Sequence, residues 1–224
     1  MDYKEIENWI LNRLPFYQNS GSVAYKPGLE NINKFIKELN LSNNQLKFIH
    51  VGGTNGKGTT VALIEDMLIQ KGIKTGVYTS PHLINYNERV SVNKTHVSDK
   101  ELVKAFEQIE KFRGTVPLTY FEFGTLAAFY LLAMRECDAW IIEVGLGGRL
   151  DATNIIQSDI SIITNIDLDH QEFLGDSIEE IAYEKAGITK SNRPIIYGDT
   201  VVMPIIEKQA NLVDAKLIAR DREF

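Results

Sequence analysis

Apolar residues along this chain switch repeatedly between helical spacing and short continuous runs, and the switching outlines the fold. Ile6, Trp9, Ile10 and Leu14 repeat at helical intervals, as do Leu29, Ile32, Phe35, Ile36 and Leu39, with Pro15 and the glycine-bounded stretch 21–28 between them. Two N-terminal helices flanking a flexible loop are expected. Phe48, Ile49 and Val51 suit a buried parallel strand, and residues 61–68 return to helical spacing. Residues 74–79 (KTGVYT) read as a strand. Residues 80–97 are long, polar and interrupted by Pro81, which predicts a loop, and a loop of that length in a compact domain is usually functional.

Ser98 followed three places later by Glu101 is a capping-box pattern, opening a helix to about Phe112. Residues 118–136 predict a largely buried helix. Residues 139–144 (AWIIEV) and 160–164 (ISIIT) are short and rich in β-branched side chains, as central parallel strands are. A helix over 177–186, a strand over 194–197, a helix over 204–212 and a strand over 216–219 complete the pattern. Strands alternating with helices predict an α/β fold, with a mostly parallel central sheet and helices on both faces.

Composition narrows the functional classes. A net charge of −6 and a pI near 5.3, with no Lys/Arg-rich run, exclude nucleic acid as the main partner. The single cysteine, Cys137, allows neither an intrachain disulfide nor a cysteine metal cluster, fits a reducing compartment, and is expected to be buried packing. The N-terminus MDYKEIENWI lacks the basic-then-apolar order of a signal peptide, and the most apolar segment, 126–134, is too short to span a bilayer. A cytoplasmic, monomeric protein without a membrane partner is expected. Residues 1–224 are long enough for one domain with a substantial core, and the ending DREF, with no closing helix, looks cut rather than finished.

The stretch KFIHVGGTNGKGTT, residues 47–60, points to chemistry. An apolar strand breaks into a turn whose glycines Gly52, Gly53 and Gly56 let backbone N–H groups face an anion, and Lys57 stands where it would meet terminal phosphates. The fold is therefore expected to be P-loop NTPase-like. The pattern departs from GxxxxGK[ST] in two places: Val51 replaces the first glycine, and Gly58 replaces the hydroxyl residue that ligates magnesium, with Thr59 and Thr60 following. Another group must help hold the metal.

Glu143 ends an apolar strand and precedes Gly145, Gly147 and Gly148. Ligands of open α/β sheets gather at the carboxyl ends of strands, so this carboxylate is placed to hold magnesium directly or through water. The next strand ends in the polar cluster 165–170. There His170 is open to metal ligation, general-base catalysis or core packing, of which its company favours ligation, while Asp167 and Asp169 suit supporting roles. Taken alone, Lys185 reads as a cation at a helix C-terminus and Ser80 as a turn residue.

The motifs GTNGKGTT (53–60), YTSPHL (78–83), NERV (87–90), LTYFEFGTLAAF (118–129), EVGLGGRLDATN (143–154), LDH (168–170) and EKAGI (184–188) run over most of the chain. In this order they resemble folylpolyglutamate synthases and the bifunctional dihydrofolate synthases of bacteria, members of the Mur ligase superfamily. The resemblance implies a Mur ligase central domain and an ATP-dependent ligase. ATP would phosphorylate a substrate carboxylate, and the amine of L-glutamate would displace phosphate from the acyl phosphate. The acceptor would be tetrahydrofolate or dihydropteroate. Carried over by position, Ser80, Glu143 and His170 would be magnesium ligands, Gly53, Thr54, Asn55, Gly56, Lys57 and Gly58 would line the triphosphate with Thr59 and Thr60 starting the helix, and Lys185 would be carbamylated. Lys57, Glu143, His170 and Lys185 form the implied catalytic set, and residues 118–123 and 24–29 would lie near the pterin.

Two departures qualify that picture. The family's C-terminal glutamate-binding domain is absent from residues 1–224, so ligation is not expected of this chain alone. Ala24-Tyr25-Lys26-Pro27 stands where the bifunctional enzymes would carry an acidic residue, which ranks folate ahead of dihydropteroate as acceptor. The alternatives are another Mur-type amide ligase, against which EVGLGGRLDATN speaks, and a stand-alone nucleotide-binding module.

Overall fold

The computed structural model describes residues 28–35, 39 and 46–224, with Glu5, Asn8 and Leu14 singly. Apart from those single residues, of which Leu14 is buried, the first expected helix lies outside the described residues, as do residues 24–27. Of the second, Ile32–Phe35 forms a 3-10 turn that buries Ile32 and Phe35, with Leu39 also buried.

Eight strands form one sheet: β1 (Lys47–Gly52), β2 (Thr75–Tyr78), β3 (Val90–Val92), β4 (Thr95–His96), β5 (Ala139–Glu143), β6 (Ile160–Ile163), β7 (Ile195–Tyr197) and β8 (Leu217–Ala219), in the order β4-β3-β2-β5-β1-β6-β7-β8. From β2 to β8 every pairing is parallel, and only β3 and β4 run antiparallel at one edge. The helices are α1 (Lys57–Gln70), α2 (Asp99–Arg113), α3 (Tyr120–Ala133), α4 (Gln171–Leu174), α5 (Ile178–Ala186) and α6 (Met203–Leu212).

Alternation along β5 shows how the layers pack. Trp140 and Ile142 join the core beneath α2 and α3, with Phe123, Phe129 and Leu132, whereas Ile141 turns to the opposite face and meets Val51, Val77 and Val61 of α1. All five residues of β5 are buried, which is why its sequence is a continuous apolar run ending in a charge. A third cluster, including Ile163, Ile181, Ile195, Tyr197 and Ile206, packs α5 and α6 on β6 and β7. Capping boxes at Ser98/Glu101, Thr119/Glu122 and Ser177/Glu180 fix the starts of α2, α3 and α5. Among the described residues no helix is long and apolar enough to cross a membrane.

Residues 80–97 depart from the expected loop. They contain a 3-10 turn, Tyr86–Arg89, followed by the hairpin β3–β4. Glu88 organises the turn by accepting from the backbone N–H groups of Leu83 (2.7 Å), Ile84 (3.0 Å) and Asn85 (2.7 Å), bonds that hold its carboxyl below the usual range. Asn93 and Lys94 both take positive φ in the hairpin turn, and the buried Glu65 of α1 accepts from Lys94 N (3.1 Å).

Because six strands run parallel, the carboxyl ends of β1, β2, β5 and β6 share one edge. Val51 stands opposite Glu143, Gly52 opposite Ile163, and Tyr78 opposite Ile142.

Candidate active site

The turn between β1 and α1 is shaped by what presses on it. Gly53 has φ +135°, and any side chain there would run into Thr164. Gly56, at φ 78° ψ 2°, starts α1 without a side-chain cap, leaving first-turn N–H groups for a ligand. The segment after β6 props the turn from outside: Thr54 N donates to Asn165 O (2.9 Å), Asn55 N to Asn165 Oδ1 (2.8 Å), and Thr164 Oγ1 to Asn55 O (2.6 Å). Asp167 N donates to Thr54 Oγ1 (3.1 Å), and its carboxylate accepts from Leu168 N (2.8 Å). Lys57 Nζ folds back onto the turn, donating to Gly53 O and Thr54 O at 3.0 Å each.

Lys185 belongs to the same turn. The sequence taken alone reads it as a cation at a helix C-terminus, and the structure adds that it is 2% exposed and donates to Gly53 O (3.1 Å), the carbonyl that Lys57 also uses. Burial, reinforced by the Lys57 charge and opposed by Asp169, lowers its pKa from 10.5 to about 8. Two ammonium groups thus converge on one carbonyl of the turn.

Glu143 is buried at the end of β5, and its hydrogen bond among the described residues comes from Ser80 N (3.2 Å), just past β2. Burial raises its pKa, while the Ser80 N–H and the Lys57 and Arg89 charges pull it down. The structure therefore brings together Ser80, Glu143, Lys57 and Lys185. His170 lies beyond β6 in left-handed conformation (φ 47°) as the N-cap of α4, and its Nε2 is 3.5 Å from Asp169 Oδ1. No group of three or more His, Cys, Asp or Glu side chains suited to a metal occurs among the described residues.

The loop after Glu143 carries groups that the sequence reading left unassigned. Asp151, buried, accepts from Gly145 N (3.1 Å), Leu146 N (2.9 Å) and Thr153 N (2.9 Å), and also from Thr153 Oγ1. Burial raises its pKa against these bonds. Thr153 Oγ1 is 2.8 Å from Nε2 of His50, whose complete burial, with the Lys190 charge adding to it, lowers its pKa to about 3, so the imidazole stays neutral. On the other side Arg149 N donates to Glu184 O (2.7 Å) and Arg149 Nη2 to Glu184 Oε1 (2.7 Å), while a side chain on Gly148 would press on the Glu184 and Lys185 carbonyls at 2.8 Å. This glycine-rich loop clasps the end of α5 and spans the space from Glu143 to Lys185. The only advance signal was the EVGLGGRLDATN motif itself, whose Asp and Arg carry no recognisable role until their partners are known.

Residues 51–219 match the family described as Mur ligase middle domain. The chain is 45% identical over 203 residues to dihydrofolate synthase/folylpolyglutamate synthase of Haemophilus influenzae, covering 89% of this chain and 46% of that protein. It is 41% identical over 211 residues to the Escherichia coli protein of the same name, covering 94% and 50%. Among solved structures, Escherichia coli FolC in complex with DHPP and ADP superposes with a TM-score of 0.92 at 38% identity, covering all of this chain and 52% of that one. The bifunctional folylpolyglutamate synthase/dihydrofolate synthase with Mn, AMPPNP and L-glutamate bound gives 0.84 at 44% identity, covering 88% and 49%. The chain spans about half the length of the curated relatives it matches.

Proposed function

The chain belongs to the Mur ligase family, and on that premise we propose that it is the nucleotide-binding half of an ATP-dependent ligase joining L-glutamate to the carboxylate of a folate or of dihydropteroate. The observation that carries the reading is the meeting of Lys57, Lys185 and Glu143 at one edge of the sheet, beside uncapped helix N–H groups. Cations and N–H dipoles there suit a triphosphate, and the charge developing on it is where preorganised donors lower a barrier most.

In the reaction, a carboxylate oxygen of the acceptor attacks the γ-phosphorus of ATP as the bond to ADP breaks. The glutamate amine then adds to the acyl carbon, phosphate leaves, and the amine gives up a proton. Lys57 balances charge on the transferring phosphoryl group. A divalent cation fits the donor set on one local ground: Glu143 is a buried carboxylate with a single hydrogen bond among the described residues, anchored beside Ser80. Ser80, Glu143 and His170 are the proposed ligands, and the ion would supply Lewis-acid charge stabilisation. Gly53, Thr54, Asn55, Gly56, Gly58, Thr59 and Thr60 are the proposed phosphate contacts.

We propose further that Lys185 is carbamylated, as the family resemblance implies, and its burial beside Lys57 supports the reading. With a pKa of about 8, roughly a tenth of the amine is neutral at pH 7, against well under 1% for an ordinary lysine. The lone pair would attack carbon dioxide with loss of a proton, turning a repelled cation into an anion beside Lys57.

The test has two stages. Calorimetry on this chain measures magnesium-ATP binding. Glutamate incorporation with tetrahydrofolate and with dihydropteroate is then measured in the protein extended to the length of its relatives. Ligation to neither acceptor would refute the reading, and use of dihydropteroate alone would reverse the substrate ranking.

A further inference from the structure

Glu143, Lys57 and Lys185 come from three parts of the chain, at the end of β5, just past the turn after β1, and at the end of α5. The 3-10 turn Ala152–Ile155 and its N-cap Asp151 are joined to all three. Asp151 gathers the backbone N–H groups of Gly145 and Leu146 just after Glu143, and Thr153 meets His50 of β1. Asn154, buried, makes the third connection. Its Nδ2 donates to Arg149 O (3.0 Å) and to Gly187 O (3.1 Å), two residues past Lys185. Both N–H groups of the amide are thereby used, one on the glycine-rich loop and one on the helix end.

That amide is oriented by Lys190. Its Nζ donates to Asn154 Oδ1 (2.7 Å) and to the Asn154 carbonyl (3.0 Å), which leaves the amide nitrogen facing the two other carbonyls. The ammonium is half-buried, and burial lowers its pKa to about 8, yet among the described residues its hydrogen bonds go to one neutral asparagine. A cation desolvated against a neutral dipole gains little stability, so what Lys190 supplies is the orientation of the amide.

The end of α5 is held largely from outside. Its own closing bonds are long, Gly187 N to Glu184 O at 3.3 Å and Ile188 N to Lys185 O at 3.4 Å, against 2.7 Å for Arg149 N to Glu184 O from the loop. The last carbonyls of a helix depend on such external donors. Arg149 N holds the turn just before Lys185 and Asn154 holds it just after, while the Lys185 ammonium lies buried against Gly53 O.

We propose that Asn154, oriented by Lys190, is a positioning residue for the reaction: it ties the loop that follows Glu143 to the end of α5 and so keeps the Lys185 amine seated at the phosphate-binding turn. It touches no reacting atom and acts through Lys185. The inference rests on the ligase reading for its effect on turnover, and on the geometry alone for its effect on Lys185.

The experiment follows the Lys185 ε-carbon by NMR in the protein extended to the length of its relatives, with isotope-labelled lysine, in buffer purged of carbon dioxide, and with Lys185→Met identifying the signal. In wild type the amine should titrate at about 8. Asn154→Ala should raise its proton affinity at least about tenfold, as the turn loosens and water reaches the ammonium. Lys190→Met should raise it at least about threefold, and the double variant should match Asn154→Ala within about twofold, because Lys190 acts through Asn154. A direct effect of the Lys190 charge would add instead. An unmoved signal in Asn154→Ala, or additive shifts in the double variant, would overturn the inference. Should Asn154→Ala not fold, Lys190→Met carries the test, and an unmoved signal there overturns it equally. In ligation assays kcat should fall at least about tenfold in Asn154→Ala, and an unchanged kcat beside a shifted signal refutes the role in the reaction. Wild type that ligates nothing removes the ligase reading, while the titration still decides whether Asn154 seats Lys185.

Discussion

Replacing Lys185 with methionine should stabilise the free protein while abolishing ligation. The side chain is 2% exposed, shares the Gly53 carbonyl with Lys57 and is opposed by that second positive charge. The fall of its pKa from 10.5 to about 8 corresponds to roughly 3 kcal/mol against the charged form in the folded state. Its hydrogen bond to Gly53 O offsets about 1.5–3 kcal/mol of that. Methionine matches the length, removes both contributions, and should leave a net gain of about 0.5–1.5 kcal/mol at pH 7, or a few degrees in Tm for a chain of this size. The sign against pH is fixed by linkage. The folded pKa lies below the unfolded one, so between about pH 8 and 10.5 the unfolded chain binds the extra proton and wild-type stability rises through that window. The gap between variant and wild type should therefore close and then reverse as pH climbs. Lys190, also lowered to about 8 by burial, is present in both proteins and cancels from the difference. Urea denaturation at pH 7 and at pH 10, in buffer purged of carbon dioxide, measures it. A variant less stable than wild type at pH 7, or a gap unchanged between the two pH values, would refute the argument.

Lys57→Ala should weaken magnesium-ATP binding by at least about tenfold in calorimetry, and equal affinity would remove the phosphate assignment. Glu143→Ala and His170→Ala should each lower turnover of the extended protein at least about 100-fold with the circular dichroism spectrum unchanged, and near-normal rates at saturating magnesium would contradict the metal role. Asp151→Ala strips the acceptor from three backbone N–H groups at about 1–3 kcal/mol each, so a loss of at least about 3 kcal/mol is expected on denaturation, and a loss under about 1 kcal/mol would show that the loop is held otherwise.

The six parallel strands were legible because each is a short apolar run buried on one or both faces, and the capping box at Ser98 marked a helix start to within a residue. The hairpin β3–β4 was not. Its strands are three and two residues long, its turn is Asn93-Lys94 instead of a glycine pair, and its stability comes from Glu65 and β2, which no local window contains. Glu88 was equally silent, since three backbone donors converging on one carboxylate leave no periodicity behind.

The site divides along the same line. Lys57 announces itself because its chemistry is local, a lysine inside its own glycine turn. Lys185 does not, because the carbonyl it meets lies 132 residues away and only the parallel order of β1 and β6, with α5 packed across them, brings the two together. Without that topology the residue is a lysine in the last turn of a helix, where the dipole would favour its charge. Within it, the same ammonium is desolvated, faces a second cation and sits beside a loop whose glycines admit nothing larger. The protein thus gives up stability at Gly53 to keep two positive charges in place, a placement that either a bound anion or carbamylation of Lys185 would relieve.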